Sequence, residues 1–123
     1  MKTYLLASFL LIASFVPSMA DPANPYTLSA MNNKSTTQTL GGTSQVLLVA
    51  NPGRKVFCVE NPSAATEDYF IDFDGMAAST TSGVSFDIPP GSLYCFGGLM
   101  IFKGVINGNA ATTSHAIIVY EGQ

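Results

Sequence analysis

Few residues in this chain have side chains that could carry out a reaction. Among 123 residues there is one His, and there are two Cys and eight acidic residues. His115 is the one side chain suited to general-base work near neutral pH, and Ser114 stands beside it. Adjacent residues on an extended strand point to opposite faces, so Ser114 and His115 do not make a nucleophile–base pair. No G-x-S-x-G turn is present, and without a second His a hydrolytic metal has no ligand set. His115 therefore reads as an ordinary strand-end residue. Asp72 and Asp74 are carboxylates two positions apart, and Asp74-Gly75 opens a loop. They are weak metal candidates: Ca²⁺ would need a loop carbonyl and a further acid, Asp87 or Glu67, close by. The fragment lacks the terminal bidentate Glu of a Ca²⁺ loop, and two solvated acids that blunt an exposed strand are the simpler reading. A glycosidase pair would need a sugar platform, and the chain has no Trp. Neither a P-loop nor a dinucleotide fingerprint occurs. No catalytic residue and no cofactor is expected.

Charge and length narrow the classes further. Five basic residues stand against eight acidic ones, only 11% of residues are charged, and 47% are hydrophobic. A net charge of −3 argues against nucleic acid, which needs clustered Lys and Arg on a phosphate backbone. The length suits one domain, and the apolar content separates it from disordered chains.

Residues 1–20 (MKTYLLASFLLIASFVPSMA) are a distinct segment. Lys2 gives a positive end, Tyr4 to Val16 carry no charge, and Pro17 precedes small residues that end at Ala20. This is the pattern of a secretory signal peptide, with Ala20 and Asp21 flanking the cleavage site. The alternative is an uncleaved hydrophobic arm, and a membrane would be touched only through it. Export would let Cys58 and Cys95 form a disulfide, worth about 3–4 kcal/mol on the chain-entropy account. Otherwise they are two free thiols that behave as small apolar side chains. Without a CxxC pair or His cluster they make no zinc site.

Residues 21–43 are rich in Pro, Asn, Ser and Thr and read as an extended arm or edge strand. From Ser44 onward, short apolar or alternating runs are separated by turn residues. They occupy Gln45–Ala50, Arg54–Glu60, Tyr69–Asp74, Val84–Ile88, Ser92–Phe96, Leu99–Phe102 and His115–Glu121, with Val105-Ile106 extending one of them. Tyr69, Ile71 and Phe73 fall on one face, and Phe70, Asp72 and Asp74 on the other. Every window of helical length is interrupted. The expectation is an all-β domain over 44–123, a single β-sandwich or jelly-roll-like fold of about seven to eight short antiparallel strands.

An ordered series of turns and strand ends carries a resemblance. It begins with Asn51-Pro52-Gly53-Arg54-Lys55-Val56-Phe57-Cys58-Val59-Glu60-Asn61-Pro62-Ser63 and continues through Phe73-Asp74-Gly75-Met76-Ala77-Ala78. It then passes Ile88-Pro89-Pro90-Gly91-Ser92 and Gly104-Val105-Ile106-Asn107-Gly108, and closes on Val119-Tyr120-Glu121-Gly122. Residues 50–122 thus resemble small virion structural proteins of tailed bacteriophages, of the head decoration, cement or fibre type. The resemblance implies a non-enzymatic protein at the virion surface, with capsid or other virion proteins as partners. It also implies self-association, a trimer being one form. The signal-like leader fits an alternative, an exported periplasmic or surface β-sandwich that acts as an adhesion or binding module.

Overall fold

The computed structural model describes residues 31–123; the segment 1–20, the Ala20–Asp21 junction and residues 21–30 of the arm lie outside the described residues. In chain order the strands are β1 (Met31–Asn33), β2 (Thr36–Thr37), β3 (Gln45–Leu48), β4 (Val56–Glu60), β5 (Tyr69–Asp72), β6 (Phe86–Ile88), β7 (Leu93–Gly97), β8 (Ile106–Asn109) and β9 (Ala116–Gly122). All pairings are antiparallel: β5 with β6, β4 with β7, β3 with β8, and β1 and β2 with β9. The pairs nest around the 73–85 loop, like one long hairpin doubled on itself. Rolling that hairpin distributes the pairs over two sheets, ordered β1-β9-β4-β7 and β3-β8-β5-β6. This is the strand order of a jelly roll, an all-β sandwich of two antiparallel sheets. Residues 31–37 form an edge of the first sheet, so the sandwich begins ahead of Ser44.

Period-two alternation places the core. Phe57 and Val59 of β4, Ile117 and Val119 of β9, and Tyr69 and Ile71 of β5 point inward and are buried with Ile88 and Ile106. Aromatic rings fill one side of the interior. Phe73 stacks on Phe102 at 4.0 Å and Phe57 on Phe96 at 4.8 Å, while Phe86 meets both Phe96 and Tyr94 edge-on. Each such pair adds about 0.5–1.5 kcal/mol beyond its buried area.

Two elements differ from the pattern in the sequence. Leu99–Phe102 is not a strand: Gly98–Met100 is a single 3-10 turn with Leu99 fully exposed. The strand is instead Ile106–Asn109, whose INGN sequence hides its role. Gly108 lies against the ring of Tyr69, and a Cβ there would collide with the phenol, so glycine lets β8 pack against β5. Asn107 and Asn109 turn outward and donate to the carbonyls of Met76 and Ala78. These bonds hold the 73–85 loop as a strap across the outer face of the second sheet, where it covers Phe70. Val84, expected inside a strand, stands exposed in this strap.

One end of the sandwich is closed by a charge. Arg54 is fully buried there, and its Nε lies 2.6 Å from Glu121 Oε1. Its remaining nitrogens donate to the carbonyls of Phe102 (2.6 Å), Gly104 (3.0 Å) and Val49 (2.7 Å). Cys58 and Cys95 lie opposite one another on β4 and β7, with Cα atoms 4.0 Å apart, and are joined as a disulfide. The bond is on the outer face of the sheet, away from the core. Glu121→Gln leaves the buried guanidinium without its counter-charge and should cost about 3–5 kcal/mol, read as a lowered urea midpoint at unchanged slope. Replacing both cysteines by Ser should cost about 3–4 kcal/mol in the same titration.

Candidate functional site

His115 sits at the opposite end of the sandwich, immediately before β9, where the 61–68 and 110–115 loops meet. It follows Ser114, whose φ of 67° turns the chain sharply into the strand. The ring is buried, with Nε2 2.8 Å from Asn61 Oδ1 and Nδ1 3.2 Å from Glu67 Oε1. Asn61 is itself fixed, since its Nδ2 donates to the carbonyls of Glu67 and Ile88, both at 2.9 Å. That turns Oδ1 towards the ring, so Nε2 must donate. A carboxylate faces the other nitrogen, Nδ1.

Glu67 Oε1 also accepts from the backbone N–H of Thr112 at 3.0 Å and from the Thr112 hydroxyl. Burial pushes the Glu67 carboxyl up, but the Thr112 hydrogen bonds and the hydrogen bond and charge of His115 outweigh it and hold the group below its ordinary value. Tyr69 tilts against His115 with centroids 5.4 Å apart, and burial pushes its phenol well above the usual value. Its hydroxyl donates to Gln38 Oε1 at 3.3 Å. An open hollow of about 290 Å³ lies beside this network, lined by Pro62, Ala64, Thr66, Thr113 and the His115 edge among others. It offers hydroxyls and methyl groups.

The carboxylates singled out in the sequence are used elsewhere. Asp72 accepts from the backbone N–H of Phe73 at 2.9 Å and from the Ser85 hydroxyl at 3.1 Å, which ties the two ends of the strap together. Asp74 takes a φ of 55° and packs against Gly104 at the Arg54 end. Glu67 belongs to the His115 end and does not approach either of them. Asp87 is on β6, opposite Phe70, where burial and the neighbouring charge of Asp68 push its carboxyl up. Among the described residues no group of three or more His, Cys, Asp or Glu comes together as a metal site.

Most of the exposed large apolar side chains lie at or beside the Arg54 end. Val49 is 71% exposed, Leu99 104% and Met100 67%, and Met31, Met76 and Val84 are on neighbouring loops and the first strand. No protein-family model, curated protein or solved structure matches this chain.

Sequence reasoning missed Asn61 and Glu67 as partners of His115, because they stand 54 and 48 positions away from it. The one available signal was Asn61-Pro62 at a strand end, which marks a turn and not a partner. Because the Glu67 carboxyl is depressed, its stabilisation is complete above the ordinary value of 4.5 and is lost as pH falls through its folded value. Unfolding midpoints measured from neutral to acid pH should therefore fall less steeply in Glu67→Gln than in the unaltered chain. His115→Ala strands Asn61 Oδ1 and should lower stability by about 1–3 kcal/mol at neutral pH.

Proposed function

We propose that this chain is a non-enzymatic virion structural protein, a capsid decoration, cement or fibre component that works by protein–protein assembly. The observation that carries the reading is the crown of exposed apolar side chains at the Arg54 end, with Leu99 and Met100 held out on a short turn. Large apolar side chains left exposed at one end of a folded domain mark an interaction site. The low share of charged residues in the whole chain, 11%, matches the composition of buried interface centres. The engagement of both His115 ring nitrogens by Asn61 and Glu67 supports a structural role for the one candidate base. Jelly rolls serve in viral capsid and lectin domains alike, so the architecture agrees with the reading without choosing it. The turn series from Asn51 to Gly122 is what points to the tailed-phage virion.

The disulfide between Cys58 and Cys95 favours a second reading, a periplasmic or surface binding module exported through residues 1–20. The two readings part on where the protein is found. Mass spectrometry of purified particles should recover the chain in fixed ratio to the major capsid protein. Its absence from particles, together with a periplasmic form whose first residue is Asp21, would establish the second reading instead. Leu99→Asp with Met100→Asp should leave the melting temperature within a few degrees and remove the protein from particles.

A further inference from the structure

We propose that the Cys58–Cys95 bond is a redox switch on the assembly surface: closed, it fixes the end of β7 and the Leu99–Met100 turn that follows, and opened by a dithiol it releases both. The inference rests on the assembly reading above and names how that surface is regulated. Among the described residues β7 pairs with β4 alone, so it is an edge strand with one ladder to hold it. Its side chains give it limited purchase: Phe96 packs against the core, while Leu93, Tyr94 and Cys95 are exposed. The start of β7 is tied down through Ser92, whose carbonyl accepts from the Asn61 N–H at 3.1 Å. Its other end runs straight into Gly98–Met100, where Leu99 and Met100 stand out from the surface. Beyond them the loop is anchored again, by the carbonyls of Phe102 and Gly104 on Arg54. The turn is therefore slung between Arg54 and β7, and Cys95 is the covalent hold on the β7 side.

The bond is placed for exchange. It lies on the outer face of the sheet, where Cys95 is exposed and Cys58 half-buried. A thiolate of the dithiol attacks Cys95 Sγ, the S–S bond breaks, and the Cys58 sulfur leaves with the electron pair and takes up a proton. The second thiolate of the dithiol then displaces the Cys95 sulfur in the same way. The protein gains two thiols, and the dithiol is oxidised to its own disulfide. Phe57 and Val59, on either side of Cys58, face the core from the opposite side of the sheet, so the exchange leaves the core closed. A chain made under reducing conditions thus acquires a fixed assembly surface only on oxidation. Register shows where the release is read. Cα atoms 4.0 Å apart mark Cys58 and Cys95 as a non-hydrogen-bonded pair, for which about 4.5 Å is usual, so the ladder bonds of β7 fall on the flanking Tyr94 and Phe96. The N–H and C=O of Cys58 point instead to Tyr120 of β9, which reports on the rest of the sheet.

Hydrogen exchange on the full chain, oxidised and after treatment with dithiothreitol without denaturant, tests this. Reduction should speed exchange of the Tyr94 and Phe96 amides by about tenfold or more and leave Tyr120 unchanged. Chymotrypsin should cut after Leu99, Met100 or Phe102 faster by a similar factor, and the Cys58→Ser, Cys95→Ser double variant should match the reduced chain in both measurements. Reoxidation should restore the slow values, and the reduced chain should bind particles more weakly by about tenfold or more. A bond that resists the dithiol while the chain stays folded would overturn the switch. Unchanged Tyr94 and Phe96 exchange would overturn it, and so would a reduced chain whose Tyr120 amide is lost together with them, since that is global unfolding. Equal binding of oxidised and reduced chain to particles would overturn the switch and leave assembly standing. A chain that joins particles in neither state, yet shows the redox-dependent exchange, would keep the lock on β7 and lose the assembly reading.

Discussion

The guanidinium of Arg54 is the point on which the rest of this sandwich depends. It lies between the sheets at one end and is charged at any pH the protein meets, and burying it alone would cost several kcal/mol. The cost is offset by Glu121 from β9 and by three carbonyls from two different loops. Those contacts fix the β3–β4 connection, where Asn51 Oδ1 accepts from Gly53 N–H, and also the long β7–β8 connection. With the carbonyls of Phe102 and Gly104 turned inward to Arg54, Leu99 and Met100 are left on the outer side of the same loop.

The other end is closed by a different device with the same logic. Asn61, Glu67 and His115 bind three loops through a network in which Asn61 alone makes three side-chain hydrogen bonds. Low dielectric strengthens these bonds and makes each of them costly to lose. The apolar middle of the sandwich is therefore held between two polar clasps. One buried acceptor, Asn109 Oδ1, has no partner among the described residues. Ordered water is the usual partner for such a group.

What the sequence revealed follows from the range of each interaction. Strands such as Val56–Glu60 and Tyr69–Asp72 were legible because period two is a local property, set by which face meets the core. The faces of Tyr69 and Ile71 could be read for the same reason. Ile106–Asn109 was illegible because its identity is decided across the sheet, by the Tyr69 ring that only Gly108 admits and by the strap that Asn107 and Asn109 hold. Leu99–Phe102 misled in the opposite sense, as its apolar residues serve the outside. Arg54 looked like the polar head of a strand, since nothing within a few positions predicts that Glu121 will reach it. His115 was legible as a strand-end residue, but its partners were not.

The two sheets differ in what lies outside them, and this asymmetry bears on any assembly role. The strap covers the outer face of β5 and β8, and its hydrogen bonds to Asn107 and Asn109 make that side polar and finished. Among the described residues the outer face of β4, β7 and β9 has no such cover and presents Val56, Leu93, Ile118, Tyr120 and the Cys58–Cys95 bond. A cross-strand disulfide on an open face adds nothing to the core, but it prevents β7 from peeling away from β4. An edge strand that must take load, or must not exchange pairs with a neighbour, needs that restraint. β3, on the opposite side of the sandwich, has no such lock. The fold thus fastens one edge covalently, while among the described residues β3 pairs on one side only, with β8.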